Sequence, residues 1–195
     1  MDALRNLATP VRAFLALKLG DQIESAIADF IDELRTPRDA VRWVPRRNLH
    51  LTVKFLGDAI APARLALLAR SVAALANETP PLHLAVAGAG AFPNWSRPRA
   101  VWVVSDGDGL ATLAARVESA AVQCGFPRQE RTWSPHLTIG RVRDPRSFKA
   151  IRAALDRESH RRFGAARVDS ITLFRSTLGA SAPIYEQLAS FPFPA

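Results

Sequence analysis

The stretch "NLHLTVKFLGD" (Asn48–Asp58) decides the fold. At period two, Leu49, Leu51, Val53 and Phe55 fall on one side, as the core face of a strand requires. The other side carries His50, Thr52 and Lys54, an odd set to leave on an otherwise ordinary strand. The pattern is repeated: "SPHLTIGRV" (Ser134–Val142) sets His136 and Thr138 in the same relation. In each strand the histidine and threonine leave the same face, roughly 7 Å apart.

Around these two segments the chain alternates helices with strands. "VRAFLALKL" (Val11–Leu19) reads as the opening strand. "DQIESAIADFIDELR" follows as a helix with Asp21 as N-cap and Ile23, Ile27, Phe30, Ile31 and Leu34 on its buried face. "VRWV" (Val41–Val44) and Asn48–Leu56 read as neighbouring strands, the second closed at "GD". A helix over Pro62–Asn77, a hairpin of Leu82–Phe92 with Ala100–Ser105, and a helix over Gly109–Cys124 ended by Gly125 come next. Then follow the His136 strand, a helix near Pro145–Arg157, and strands at "VDSITLFRS" and "IYEQLASF". The order β-α-β-β-α-β-β-α-β-α-β-β, with one His-Leu-Thr strand in each half, predicts an α+β, quasi-symmetric molecule of two lobes with a cleft between the histidine strands. No Gly/Ser linker or low-complexity segment divides it, so residues 1–195 are expected to form one domain of two intimately packed lobes.

Composition bounds the function. With 48% hydrophobic and 23% charged residues the chain can build an ordinary core. It has no uninterrupted apolar run of about 18 residues, and "FLAL" is too short for a signal peptide's apolar segment, so no membrane association is expected. The single cysteine, Cys124, excludes an internal disulfide and a cysteine-built metal site, and points to a reducing, cytoplasmic compartment. Lys+Arg number 26 against 18 acidic residues, a net charge of +8 that suits a polyanionic partner; arginine- and alanine-rich codon usage would produce the same excess.

Two imidazoles flanking a phosphorus centre can divide acid and base work near neutrality, one uncharged and one protonated. Threonine hydroxyls can donate to the non-bridging oxygens. His83, in the similar "LHLAV", has Ala85 where threonine would stand and reads as structural; His160, in "RESHRR", reads as solvated. A zinc site fails for want of a third ligand near either strand. Cys124 has no histidine near it in sequence and reads as a small buried thiol.

"HLTV" (His50–Val53) and "HLTI" (His136–Ile139) resemble the paired H-x-T-x signatures of the two-histidine phosphoesterases. The wider match, through "VRAFLAL", "WVPRRNLHLTVKFLGD", "RPRAVWV", "SPHLTIGRVR", "ITLFRSTL" and "YEQLASFPF", is to the RNA 2′,3′-cyclic phosphodiesterases, also called 2′-5′ RNA ligase-like proteins. The resemblance implies a bilobal α+β fold with two mainly antiparallel sheets flanking a central cleft and helices outside. It implies His50 as proton donor, His136 as proton acceptor, and Thr52 and Thr138 on the phosphate oxygens. Arg141 matches a phosphate-contacting position, although period two from His136 puts it on the opposite face unless a bulge intervenes near Gly140. Phe14 corresponds to an aromatic lining a nucleotide pocket, with core packing as its other reading. The implied reaction is metal- and cofactor-free hydrolysis of RNA 2′,3′-cyclic ends to 2′-phosphomonoesters, with reversible 2′-5′ ligation as a further activity. The rival substrates are small 2′,3′-cyclic nucleotides or 2′-5′ oligonucleotides, and the rival class is an RNA-end binding module without turnover. A monomer is expected.

Overall fold

In the computed structural model, residues 4, 9–36, 40–144, 148–179 and 182–195 are described. Nine strands and four helices fill them: β1 (Val11–Leu17), α1 (Asp21–Leu34), β2 (Val41–Trp43), β3 (Leu51–Ile60), α2 (Pro62–Asn77), β4 (Leu82–Phe92), β5 (Ala100–Asp106), α3 (Leu110–Gln123), β6 (His136–Val142), α4 (Lys149–Arg157), β7 (Arg162–Val168), β8 (Ser170–Thr177) and β9 (Ile184–Pro192). The expected start of the fourth helix at Pro145 lies outside the described residues.

Every strand pairing is antiparallel, in the order β7-β4-β5-β6-β3-β1-β8-β9, with β2 added beside the far end of β6. The two expected sheets are the two halves of this array. They meet at one residue pair, Leu51 on β3 against Leu137 on β6. Both leucines are fully buried, as are Leu15, Leu17, Val103 and Ile139, and they share a single core with Ile23, Phe30, Leu65 and Leu113 from three of the helices. On the opposite face, Thr52 of β3 and Thr138 of β6 stay partly accessible.

The helices cross between halves. α1 leaves β1 and lies against β7, while α3 leaves β5 and lies against β3. Phe30 of α1 packs on Phe163 of β7 at 5.2 Å between ring centroids, and Arg161 pairs with Glu33 beside them. No described helix is long and apolar enough to cross a membrane.

Several local details differ from the sequence reading. Asp21 is the first helical residue and Gly20, with φ 83°, is the cap; the Asp21 carboxylate instead takes Arg46 at 3.0 Å. β2 and β3 do not pair with each other: a 3-10 turn at Arg46–Asn48 shifts the chain so that both run beside β6 in succession. β3 runs through "GD" to Ile60, held there by β1. An unexpected strand, β7, pairs with β4; its "RFGAARV" buries only Phe163, Ala166 and Val168, too little for a clear alternation. The α3 terminus is as expected: Gly125 (φ 80°) completes a Schellman motif with Phe126 N–H donating to the Ala121 carbonyl at 3.0 Å.

Candidate active site

The antiparallel Leu51–Leu137 pair puts His50 in register with Thr138, and Thr52 in register with His136. One seam therefore gathers both imidazole–hydroxyl couples, each couple shared between two strands.

Each ring is anchored in the same way. His50 Nδ1 lies 2.7 Å from the Asn48 carbonyl, and His136 Nδ1 lies 2.8 Å from the Ser134 carbonyl. A carbonyl can only accept, so Nδ1–H donates in both rings, and Nε2 is the nitrogen left for chemistry. The segment before His50 is itself fixed. Asn48 Nδ2 donates to the Pro183 carbonyl at 2.7 Å, and Lys18 Nζ donates to the Leu49 carbonyl at 2.7 Å while pairing with Glu24.

The surroundings of the two rings differ. His50 is half-buried against Phe14 (4.8 Å between centroids) and Tyr185 (5.2 Å, edge-on). That burial lowers its pKa to about 4, aided by the nearby charges of Lys18, His136 and Arg141 and opposed by the Asn48 hydrogen bond. His50 is thus neutral in the free protein at pH 7. His136 meets one ring edge-on, Phe92, at 4.9 Å.

Both strands then bulge. Opposite β1, Ala16 pairs with Thr52 but Leu15 with Lys54, so Val53 is an extra residue. Opposite β5, Trp102 pairs with Thr138 but Val101 with Gly140, so Ile139 is extra. Each bulge reverses the alternation beyond it. Lys54, expected beside His50 and Thr52, is turned inward and is 3% exposed; its Nζ pairs with Glu118 of α3 at 2.7 Å and donates to the Pro127 carbonyl at 2.8 Å. Burial pushes the Glu118 carboxyl up, but Lys54 and the Gln129 amide outweigh it and hold the pKa below the usual carboxylate value. Phe55, expected in the core, is turned outward and is 44% exposed. By the same device Arg141 reaches the His136 face, so the bulge required near Gly140 is there.

Together these residues line a cleft of about 410 Å³, with His50, Thr52, Phe14, Thr138, Arg141 and Phe55 on its walls. His136 is not among the lining residues; the register and its electrostatic effect on His50 put it at the margin, beside Thr52. Arg12, Arg42, Trp43 and Tyr185 also line it. Sequence reading missed these four. Arg12 was visible only as a neighbour of Phe14 two positions along the opening strand, and the others carry no repeating signal. Phe14 is buried, packs on Phe174 at 5.3 Å as well as on His50, and stands on the cleft wall. Among the described residues no three His, Cys, Asp or Glu side chains gather to hold a metal ion. His83 and His160 are exposed and away from the cleft, and Cys124 is buried with Sγ 3.6 Å from Ser71 Oγ.

Chemically, the cleft offers one imidazole, two threonine hydroxyls and the Arg141 guanidinium, with the second imidazole at its margin and an aromatic wall on the His50 side. Residues 23–180 match the family model described as the 2′-5′ RNA ligase superfamily. The chain is 32% identical to an RNA 2′,3′-cyclic phosphodiesterase of Methanothermobacter thermautotrophicus, over 93% of this chain and 98% of the relative. It superposes on the crystal structure of TT0787 of Thermus thermophilus with a TM-score of 0.78 at 26% identity, covering 93% of this chain and 97% of that one. It also superposes on E. coli LigT complexed with 3′-AMP, with a TM-score of 0.75 at 27% identity, covering 95% and 99%.

Proposed function

The chain belongs to the 2′-5′ RNA ligase superfamily, and from that premise we propose that it hydrolyses RNA 2′,3′-cyclic phosphate ends to 2′-phosphomonoesters by metal-free acid–base catalysis. The observation that carries this is the seam: two histidines with the same Nδ1–H anchor, each in register with the other strand's threonine.

In the proposed reaction a water oxygen attacks phosphorus as the bond to the 3′ oxygen breaks. His136 Nε2 takes the water proton, and protonated His50 gives its Nε2 proton to the 3′ oxygen. The products are a free 3′ hydroxyl and a 2′-phosphomonoester. Thr52, Thr138 and Arg141 hold the non-bridging oxygens, where charge-assisted donors contribute most. The strained five-membered ester needs little beyond positioning and proton transfer. Burial keeps His50 neutral at pH 7, so the donor role requires the incoming phosphate charge to favour its imidazolium. The cleft volume suits one nucleotide, and the E. coli relative's 3′-AMP complex fits that reading. Attack by a 5′ hydroxyl in place of water breaks the same bond to the 3′ oxygen and leaves a 2′-5′ linkage beside a free 3′ hydroxyl, which is the ligating reaction.

The test is turnover of an oligoribonucleotide ending in a 2′,3′-cyclic phosphate, with chelator present, by the wild type, His50→Ala and His136→Ala. Wild-type formation of the 2′-phosphate, and a loss of about 10²–10⁴-fold in each variant, are expected. Undiminished turnover in both variants defeats the catalytic assignment, and activity restored only by added metal defeats the metal-free mechanism. Binding that survives without any wild-type turnover favours an RNA-end binding module.

A further inference from the structure

The carbonyls that anchor the two histidines are held with unequal care. The Asn48 carbonyl, which takes the His50 proton, belongs to the 3-10 turn Arg46–Asn48. Asn48 is itself tied twice, its backbone N–H to the Pro45 carbonyl at 2.8 Å and its Nδ2 to the Pro183 carbonyl at 2.7 Å. The Ser134 carbonyl, which takes the His136 proton, belongs to residues 126–135, where the chain is neither helix nor strand. Pro135 follows it and has no N–H to contribute. A hydrogen bond orients an imidazole only as firmly as its acceptor is fixed, so the loop needs another fastening.

At its start the loop is fastened to the ion pair between β3 and α3. Lys54 Nζ donates to the Pro127 carbonyl at 2.8 Å, and the Gln129 N–H donates to Glu118 at 2.7 Å. Next to Ser134, among the described residues, the fastening is Trp133. Its indole packs partly buried against the common core, and its Nε1–H donates to the Thr52 carbonyl at 3.1 Å. Thr52 is the residue in register with His136, and its place is set by pairing with Ala16 of β1. The contacts close a ring: His136 to the Ser134 carbonyl, Ser134 to Trp133 along the chain, Trp133 to Thr52, and Thr52 back to His136 across the seam. We propose that Trp133 is a positioning residue for His136: its indole N–H, fastened to Thr52, holds the adjoining Ser134 carbonyl where it fixes the Nδ1–H tautomer and the facing of the His136 ring. Without that bond the ring samples both tautomers, and in the Nε2–H form the nitrogen meant to accept the water proton already carries one. The effect on turnover rests on the cyclic-phosphodiesterase reading above; the effect on the tautomer does not.

The test is Trp133→Phe, which keeps a ring in the core and removes the donor. Nitrogen-15 spectra of the histidine rings in alkaline buffer, assigned by the signals missing from His50→Ala and His136→Ala, read each tautomer directly. Wild type should show the Nδ1–H form at both rings. In Trp133→Phe, His136 should move to the mixture of a free imidazole while His50, anchored elsewhere, stays unchanged. With a 2′,3′-cyclic substrate, kcat should fall by about 10–100-fold, the scale of a lost orienting contact, and KM should hardly move because Thr52 keeps its place on β1. A folded Trp133→Phe whose His136 tautomer and kcat match wild type, with at most a lowered denaturant midpoint, overturns the proposal and leaves the indole as core packing. The wild type tests it without substitution: a Trp133 Nε1–H that exchanges with solvent as fast as an exposed indole, or a His136 already of mixed tautomer, also overturns it. Release of the His136 tautomer in Trp133→Phe, with no turnover by wild type, upholds the positioning role and defeats the catalytic reading.

Discussion

The His50 half and the His136 half of the seam are built from one backbone plan and filled differently. In both, a histidine two residues past its own anchoring carbonyl is followed by threonine, one buried bulge residue, and a side chain flipped into the cleft. Where the first half puts Phe55, the second puts Arg141. Beneath the bulges, the first half buries the Lys54–Glu118 ion pair, while the second uses Gly140, over which Val41 and Trp43 close so tightly that an added Cβ would stand 2.4 Å from a Val41 methyl. The first histidine is walled by aromatic rings and the second meets one ring edge. Repetition fixes where the histidines and threonines stand; divergence puts a phenyl ring on one side of the cleft and a guanidinium on the other.

The comparison breaks most readily at Lys54. Lys54→Met removes the cation from Glu118, leaving only the Gln129 amide donating to it, and should cost about 3 kcal/mol, read as a lowered denaturant midpoint. The matching change, Gly140→Ala, should cost about 1–3 kcal/mol through overpacking and should also reduce turnover, because Arg141 sits on the displaced side of that bulge. Equal, negligible effects would mean that neither bulge depends on what lies beneath it.

Arg141→Ala should lower kcat/KM by about 1–3 kcal/mol in transition-state terms, the worth of one charge-assisted hydrogen bond. An unchanged kcat/KM would make Arg141 a surface residue despite its place on the cleft wall.

The smallest effect concerns protons. With the folded-state pKa of His50 near 4 and an ordinary value of 6.5, the unfolded chain binds more protons between those limits. Its contribution to stability is therefore complete above pH 6.5 and declines as the pH falls towards 4. His50→Asn should flatten the fall in stability between pH 7 and 5. The same shift predicts that a bound cyclic phosphate draws a proton onto His50. Calorimetry in buffers of different ionisation enthalpy should show greater proton uptake by wild type than by His50→Asn; equal uptake would exchange the acid and base assignments.

Period-two and period-3.6 patterns reveal much of this molecule: both His-Leu-Thr strands, the buried face of α1, the extent of α2 and the cap at Gly125. They fail where the backbone departs from regularity. A bulge adds one residue without altering composition, so "HLTVKF" reads smoothly with Phe55 inside and Lys54 outside, the reverse of what β1 enforces. In the second strand the resemblance-borne place of Arg141 and the glycine beside it gave the irregularity away; in the first nothing did. Arg12, Arg42 and Tyr185 come to the cleft from strands distant in sequence, and only the strand order brings them there.

The crossing of the helices has a consequence for how the molecule can be divided. With α1 roofing a strand that comes late in the chain, and α3 roofing one that comes early, each lobe wears its neighbour's cover. A gene cut between the two His-Leu-Thr strands would yield two bare fragments, each carrying off what the other needs, and neither a smaller working enzyme.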